Sequence, residues 1–209
     1  MRITKAQAQA NRAHVVETAS ELFRERGYDG VGVADLMAAA GFTHGGFYKQ
    51  FGSKTDLIAE SAACGIAQTV ALTADGISPA EFVRQYLSRE HRDHRGTGCT
   101  MAALGGDAAR QPDSVRAAFA AGIENLVTAL SRCDGVGAES ADASETRARV
   151  LAVLSHAVGA IVMSRACPDD SSLAEEFLTA ARKAILASLA LPPEAELHLP
   201  ETSRELGET

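Results

Sequence analysis

Apolar residues recur three and four positions apart along most of the chain, the spacing of one face of a helix, and no credible pair of strands interrupts them. Val15, Ala19, Leu22 and Phe23 line up on a first helix from about Lys5 to Arg26, which Gly27 ends. Val33, Leu36, Met37 and Ala40 mark a second, and Gly41 breaks it. Thr43 is placed to cap a third, short helix reaching Phe51; after Gly52, Ser53 caps a fourth from Lys54 to about Leu72. Gly76 to Pro79 is a break, with Pro79 suited to the first turn of a fifth helix ending near Arg92. His91 to Gly98 reads as an exposed loop, followed by a short helix, Met101 to Ala109. Pro112 opens the next, with Val115, Phe119, Ile123, Leu126 and Leu130 on one side as far as Arg132. Asp134 to Ser144 is a Gly/Ser/Ala loop, and Glu145–Ala166 and Ser171–Leu191 are the last two helices. The acidic, proline-bearing stretch 192–209 is expected to be disordered. The expected fold is all-α with about nine helices. Residues 1–52 form an N-terminal three-helix unit. Residues 53–191 form a helical body, in which 53–72 is a connecting helix.

Composition agrees with this picture and narrows the function. The 209 residues are 46% hydrophobic, enough for a substantial core, and tryptophan is absent. No export signal is legible, and the longest strictly apolar run of the second half, Ala157 to Met163, is too short to span a bilayer, so no membrane partner and a cytoplasmic location are expected. The net charge of −7 is unevenly spread: residues 1–55 carry +2 and the remainder −9. A basic head on an acidic body suits a protein whose head alone meets phosphate. Cys64, Cys99, Cys133 and Cys167 contain no CxxC pair, so they are expected as free thiols.

Helix, glycine turn and helix in close succession are what a major-groove reader needs. Val33–Ala40 would support, Gly41-Phe42 turn, and Thr43–Phe51 read. Phe42, Phe47 and Phe51 are spaced to face inward, leaving Thr43, His44, Gly45, Tyr48 and Lys49 outside. Gly45 and Gly46 are costly in a helix, and their lack of side chains would let the backbone approach DNA closely.

Residues 27–57, GYDGVGVADLMAAAGFTHGGFYKQFGSKTDL, resemble the DNA-binding signature of the TetR/AcrR family of repressors. The matches are Asp35, Leu36, Ala39, Ala40, Gly41, Gly45, Phe47, Tyr48, Phe51, Ser53, Lys54 and Leu57. The resemblance implies that Tyr48 and Lys54 contact phosphates and that Thr43, His44, Gly45 and Lys49 lie in or near the major groove. Val31 and Gly32 stand where the family has a capping Thr or Ser, which shifts expected phosphate contact toward Lys5, Arg12 and Lys49. The partner is then double-stranded operator DNA, palindromic because the reader is a homodimer. The resemblance also implies that the last two helices pair with their twins, and Val150, Leu154, Ala157, Val158, Ile161, Phe177, Ala181 and Ile185 are the expected interface.

The middle helices are expected to enclose a small-molecule effector pocket lined by Phe82, Tyr86, Met101, Leu104, Phe119, Ile123 and Met163, any of which serves equally as plain core. Cys99 is singled out by the basic stretch before it and by its place at a helix start, both of which stabilise thiolate. It is a candidate sensor of electrophile or oxidant, against the alternative of a small buried hydrophobe. His91, His94 and Cys99 lack a fourth ligand, so no metal or other cofactor is expected; His156 is expected in the core. The competing readings are an all-helical thiol enzyme and a protein-interaction adaptor. No nucleophile–base–acid set or phosphate loop supports an enzyme, and neither reading needs Thr43, Tyr48, Lys49 and Lys54 around a glycine turn.

Overall fold

The computed structural model describes residues 4–74, 78–133 and 143–190. The expected 192–209 tail, the glycine break at 76, most of the 134–144 loop and the Cys133 side chain lie outside them. The described residues form nine α-helices and one 3-10 helix, without a strand. The α-helices are α1 (Lys5–Arg26), α2 (Val33–Ala39), α3 (Lys54–Ala74), α4 (Pro79–Tyr86), α5 (Arg89–Asp93), α6 (Thr100–Ala108), α7 (Asp113–Cys133), α8 (Ala143–Ala166) and α9 (Ser172–Ala190). The 3-10 helix, His44–Lys49, is the reader.

The local causes are mostly those expected. Thr4 accepts from the backbone N–H of Gln7 at the start of α1, and Gly27 ends it at φ +74°. Ser53 accepts from Asp56 N–H at 3.1 Å and opens α3. Ser78 accepts from Glu81 N–H, with Pro79 in the first turn of α4. The expected fifth helix is two: the chain breaks at buried Leu87, and Ser88 caps α5 by accepting from His91 N–H. That break turns Arg92 inward, so the segment expected to be an exposed loop contains a guanidinium only 2% exposed, held by the Ser164 and Cys167 carbonyls and by Asp93 and Asp169.

The head closes over Phe23, Tyr28, Leu36, Met37 and Phe47, each fully or nearly fully buried. In the body α3 lies along α7 so closely that a Cβ on Gly122 would stand 2.8 Å from Ile66 Cδ1. Helices α8 and α9 form an antiparallel pair, tied by Ser164 Oγ donating to the Ala174 carbonyl. By length and composition alone α8 could cross a membrane, but its apolar residues split between a flank packed on the body and an outer face.

Candidate functional site

The reader is fixed from beneath. Phe47 is fully buried and stacks on Phe51 with ring centroids 5.4 Å apart. Tyr48 meets the edge of Phe47 at 5.1 Å and is 66% exposed. Thr43, His44, Gly45 and Lys49 are exposed beside it. Two glycines weaken the α-helical form, and the segment winds instead with i→i+3 bonds such as Gly46 N–H to the Thr43 carbonyl at 2.9 Å. Thr43 occupies the cap position without a side-chain bond to the turn, which leaves its hydroxyl unspent there. The glycines differ: a Cβ on Gly45 would meet nothing within 4 Å, whereas one on Gly46 would lie 3.5 Å from Met37 Cε. Gly46 thus faces the supporting helix, which corrects its expected place in the groove.

The cations of the head have divergent fates. Lys54 donates its ammonium to the Tyr28 carbonyl at 2.6 Å, which fixes its position at the start of α3. Lys5 is exposed in the first turn of α1. Arg12, expected on phosphate, is committed elsewhere: it forks onto both Glu60 carboxylate oxygens at 2.5 Å, reaches the Gln50 carbonyl at 3.2 Å and lies over the Phe51 ring. A bidentate pair of this kind fixes α1 against α3 and leaves little for DNA. Gly32 does open α2, with the Asp35 carboxylate accepting its N–H at 3.2 Å.

Among the described residues the body holds an apolar hollow and a more polar cleft. The first is almost wholly apolar and lined by Phe82, Val83, Tyr86, Met101, Leu126, Leu130, Val153 and Leu154, with Arg149 at one side. It encloses about 60 Å³, too little for a drug-sized ligand unless the helices part. The second is a more polar cleft of about 900 Å³, lined by Gln68, Tyr86, Ser88, His91, His94, Gly98 and Cys99. Thr69, Phe82 and Tyr86 are common to both. Of the expected pocket residues, Phe82, Tyr86, Met101 and Cys99 line these hollows. Leu104, Phe119 and Ile123 belong to the packed interior, and Met163, 50% exposed on the outer side of α8, is remote from both.

Cys99 is 3% exposed and forms the N-cap of α6. Its backbone N–H donates to His91 Nε2 at 3.0 Å, while His91 Nδ1 pairs with the Tyr86 carbonyl at 2.6 Å. Since Nε2 accepts, the proton sits on Nδ1 and the ring is neutral; burial, with help from Arg165, holds its pKa below the ordinary value. His91 is thus no positive neighbour, and Arg92 is occupied by Asp93 and Asp169. The cations whose fields reach Cys99 are Arg24 and Arg165, distant in sequence. Periodicity did not single out either, since each looked like an ordinary charged position on a long helix. Among the described residues no metal-holding cluster of His, Cys, Asp and Glu is present.

The stripe expected to pair protomers lies largely inside the protomer. Val150, Ala157, Ile161, Ala181 and Ile185 are 0–7% exposed inside the protomer, while Leu154, Val158 and Phe177 are half-buried. The outer face of α8 carries Leu151, Ala152, Ser155, His156, Gly159, Val162 and Met163, and that of α9 carries Leu173, Ala180, Ala184 and Ala187. His156 is therefore a surface residue rather than a core one.

Two packed helices with a short reader held face-out define a helix-turn-helix regulator with an attached helical body. Residues 15–61 match the family described as bacterial regulatory proteins, tetR family. Residues 15–61 thus carry the DNA-binding domain of the tetR family of bacterial regulators. It is 28% identical over 134 residues to the HTH-type transcriptional repressor DhaR of Mycobacterium sp. (strain GP1), a match covering 62% of this chain and 68% of that one. It is 37% identical over 59 residues to the HTH-type transcriptional regulator AcrR of Shigella flexneri, covering 28% of this chain and 27% of that one. In fold it is similar to reduced E. coli NemR, with a TM-score of 0.68 at 19% identity over 84% of this chain and 95% of that one. A TetR transcriptional regulator from Legionella pneumophila gives 0.68 at 17% identity, over 90% and 99%.

Proposed function

We propose that this protein is a ligand-responsive transcriptional repressor that binds a palindromic operator as a homodimer and is released by a small-molecule, electrophile or oxidant signal reaching the body. It acts in the cytoplasm, and no enzymatic step is assigned to it. Residues 1–52 are the DNA-binding head and residues 53–191 the effector and dimer body. The observation that carries the reading is the reader: Phe47 anchors it while Thr43, His44, Gly45, Tyr48 and Lys49 stand exposed on one face. Tyr48 and Lys54 hold phosphate, Lys49, His44 and Thr43 meet base edges, and Lys5 adds charge at the flank. The apolar outer face of α8 and α9 supports pairing of two protomers, and the cleft at Cys99 is where a signal enters.

The test is fluorescence anisotropy of the full-length protein on the DNA upstream of its own coding sequence. Measurements are made at fixed salt, reduced and after a thiol-specific reagent. Tight binding that is lost on treatment and retained by Cys99→Ser supports release through the thiol. Binding unchanged by treatment transfers the effector role to non-covalent ligands of the hollows. Binding no tighter than to random DNA of equal length refutes the assignment for that operator, and the same result on a genomic selection refutes the repressor reading itself.

A further inference from the structure

Asp107, near the end of α6, reaches across from the body to the head and accepts the backbone N–H of Tyr28 on Oδ2 at 3.2 Å. Among the described residues no backbone carbonyl takes that N–H, so its acceptor comes from a helix 79 positions further along the chain. Gly27 makes room for the carboxylate: a Cβ there would stand 2.8 Å from Asp107 Oδ2. The carbonyl of Tyr28 holds a cation, accepting from the Lys54 ammonium at 2.6 Å. Between these two bonds the Tyr28 ring is 1% exposed and meets the Phe23 ring edge-on at 5.2 Å, which anchors the residue in the core of the head. Asp107, Tyr28 and Lys54 are therefore joined in series, from α6 to the start of α3.

We propose that Asp107 is a positioning residue for DNA binding: through the Tyr28 backbone it holds the Lys54 ammonium where a phosphate oxygen meets it. This rests on the reading of Lys54 as a phosphate contact, and it adds a residue of the body to the machinery of the head. An ammonium has three N–H donors; the Tyr28 carbonyl takes one and two remain for phosphate. A lysine side chain is flexible, and binding that must first stop its motion loses affinity. The Tyr28 carbonyl has stopped that motion before DNA arrives, so long as the turn after α1 is itself fixed. The bond from Asp107 fixes it.

A carboxylate near a DNA-binding face is unfavourable in itself, because it repels phosphate. Its presence is explained by the demand of Tyr28, a buried residue whose N–H is costly to leave unpaired. Arg110 Nη1, 3.8 Å from the other oxygen, Oδ1, offsets the charge without competing for Oδ2.

The experiment is a double-mutant cycle in the full-length protein, read as affinity for the upstream DNA, or for the tightest site of a genomic selection, at fixed salt. Asp107→Ala and Asp107→Asn both remove the charge, and only asparagine keeps an oxygen for the Tyr28 N–H. The alanine variant is expected to bind about five- to tenfold more weakly than the asparagine variant. In a Lys54→Met background the two should differ by less than about twofold, because the ammonium that the contact positions is gone. A purely structural Asp107 gives the same loss in both backgrounds, and that result overturns the proposal. Equal affinities of the alanine and asparagine variants with Lys54 in place overturn it too, as does Lys54→Met binding like wild type. Asp107→Glu keeps the charge and displaces the acceptor by one methylene; compared with wild type, it completes the same cycle should Asp107→Ala fail to fold in a thermal melt. A wild-type chain that binds DNA tightly without this coupling defeats only the present proposal. One that binds no site better than random DNA defeats the repressor reading, and the role of Asp107 falls with it.

Discussion

Arg24, buried in the first helix of the head, donates its Nε–H to the carbonyl of Gly96 at 2.6 Å, three residues before Cys99. Its Nη1 reaches Ser20 Oγ at 2.7 Å and Thr100 Oγ1 at 3.3 Å, so one guanidinium spans α1, the loop after α5 and the start of α6. It is 4% exposed and, among the described residues, has no carboxylate within hydrogen-bond distance; burial lowers its pKa against the opposing charge of Glu21. The backbone just before Cys99 is therefore tied to the first helix of the head through a group that can be removed.

Arg24→Met should cost about 1–3 kcal/mol of stability, because the Gly96 carbonyl and Ser20 hydroxyl lose a charged donor while the stem is retained. DNA affinity of the untreated variant should stay within about threefold of wild type, and release on Cys99 modification should be lost or blunted. Gly65→Ala attacks the same strut from the side: a Cβ there would stand 2.3 to 2.6 Å from Thr100 Oγ1, Arg24 Nη1 and Ser20 Oγ. Paired anisotropy titrations, treated and untreated, check both. Full release in Arg24→Met would show that the coupling runs elsewhere.

The DNA face is tested by salt. Lys49→Met removes one exposed cation without touching the core, so the slope of log affinity against log salt should fall by about 0.9 if that ammonium meets phosphate. Should Lys49 read a base instead, the slope is kept and discrimination between operator and variant sites drops by about 1–3 kcal/mol. Arg12→Met should behave differently from both. It loses the fork to Glu60 and destabilises the head, measured by chemical denaturation, with little change in slope.

The proposed dimer face can be separated from the core by matched substitutions. Val162→Asp, at a position 43% exposed in the protomer, should leave the fold intact and shift the protein toward monomer in sedimentation velocity. Ile161→Asp, one residue earlier and fully buried, should unfold the body by placing an uncompensated charge among apolar neighbours, at a cost above about 3 kcal/mol. Equal oligomeric states for Val162→Asp and wild type would move the interface off this face.

That pair of neighbours also shows where the sequence was informative and where it was not. Helix limits were legible because Gly27, Ser53 and Pro79 act through local bonds and fixed dihedrals. The reader was legible because Phe47 and Phe51 keep a spacing only a buried flank explains. On α8 the apolar residues circle the whole helix, so periodicity could not choose between Ile161 facing inward and Val162 facing outward. That choice is made by packing within the protomer, which buries Ile161 and leaves Val162 43% exposed. The partners of Arg12, Arg24 and Arg165 were illegible for a related reason. Apart from Arg24 to Ser20, each bond joins residues 38 to 76 positions apart, and nothing local distinguishes a guanidinium that will be buried from one that stays in water.

His91 makes the stability of the body depend on pH with a definite sign. Its folded-state pKa lies below the ordinary 6.5, chiefly from burial, with the nearby Arg165 charge acting in the same direction. The unfolded chain then binds a proton more readily than the folded one once pH falls below about 6.5. The stabilisation is complete above that value and is lost progressively on acidification toward the folded pKa. Protonation also destroys the acceptor that holds the Cys99 backbone N–H, so the start of α6 loosens together with the loss of stability. Thermal melts of wild type between pH 7.5 and 5.5 should show a falling midpoint, before the carboxylates begin to titrate. His91→Gln should melt lower than wild type at pH 7.5, by about 1–2 kcal/mol for its altered hydrogen bonds, and change less across the interval. A variant whose midpoint falls as steeply as that of wild type would place the titrating group elsewhere.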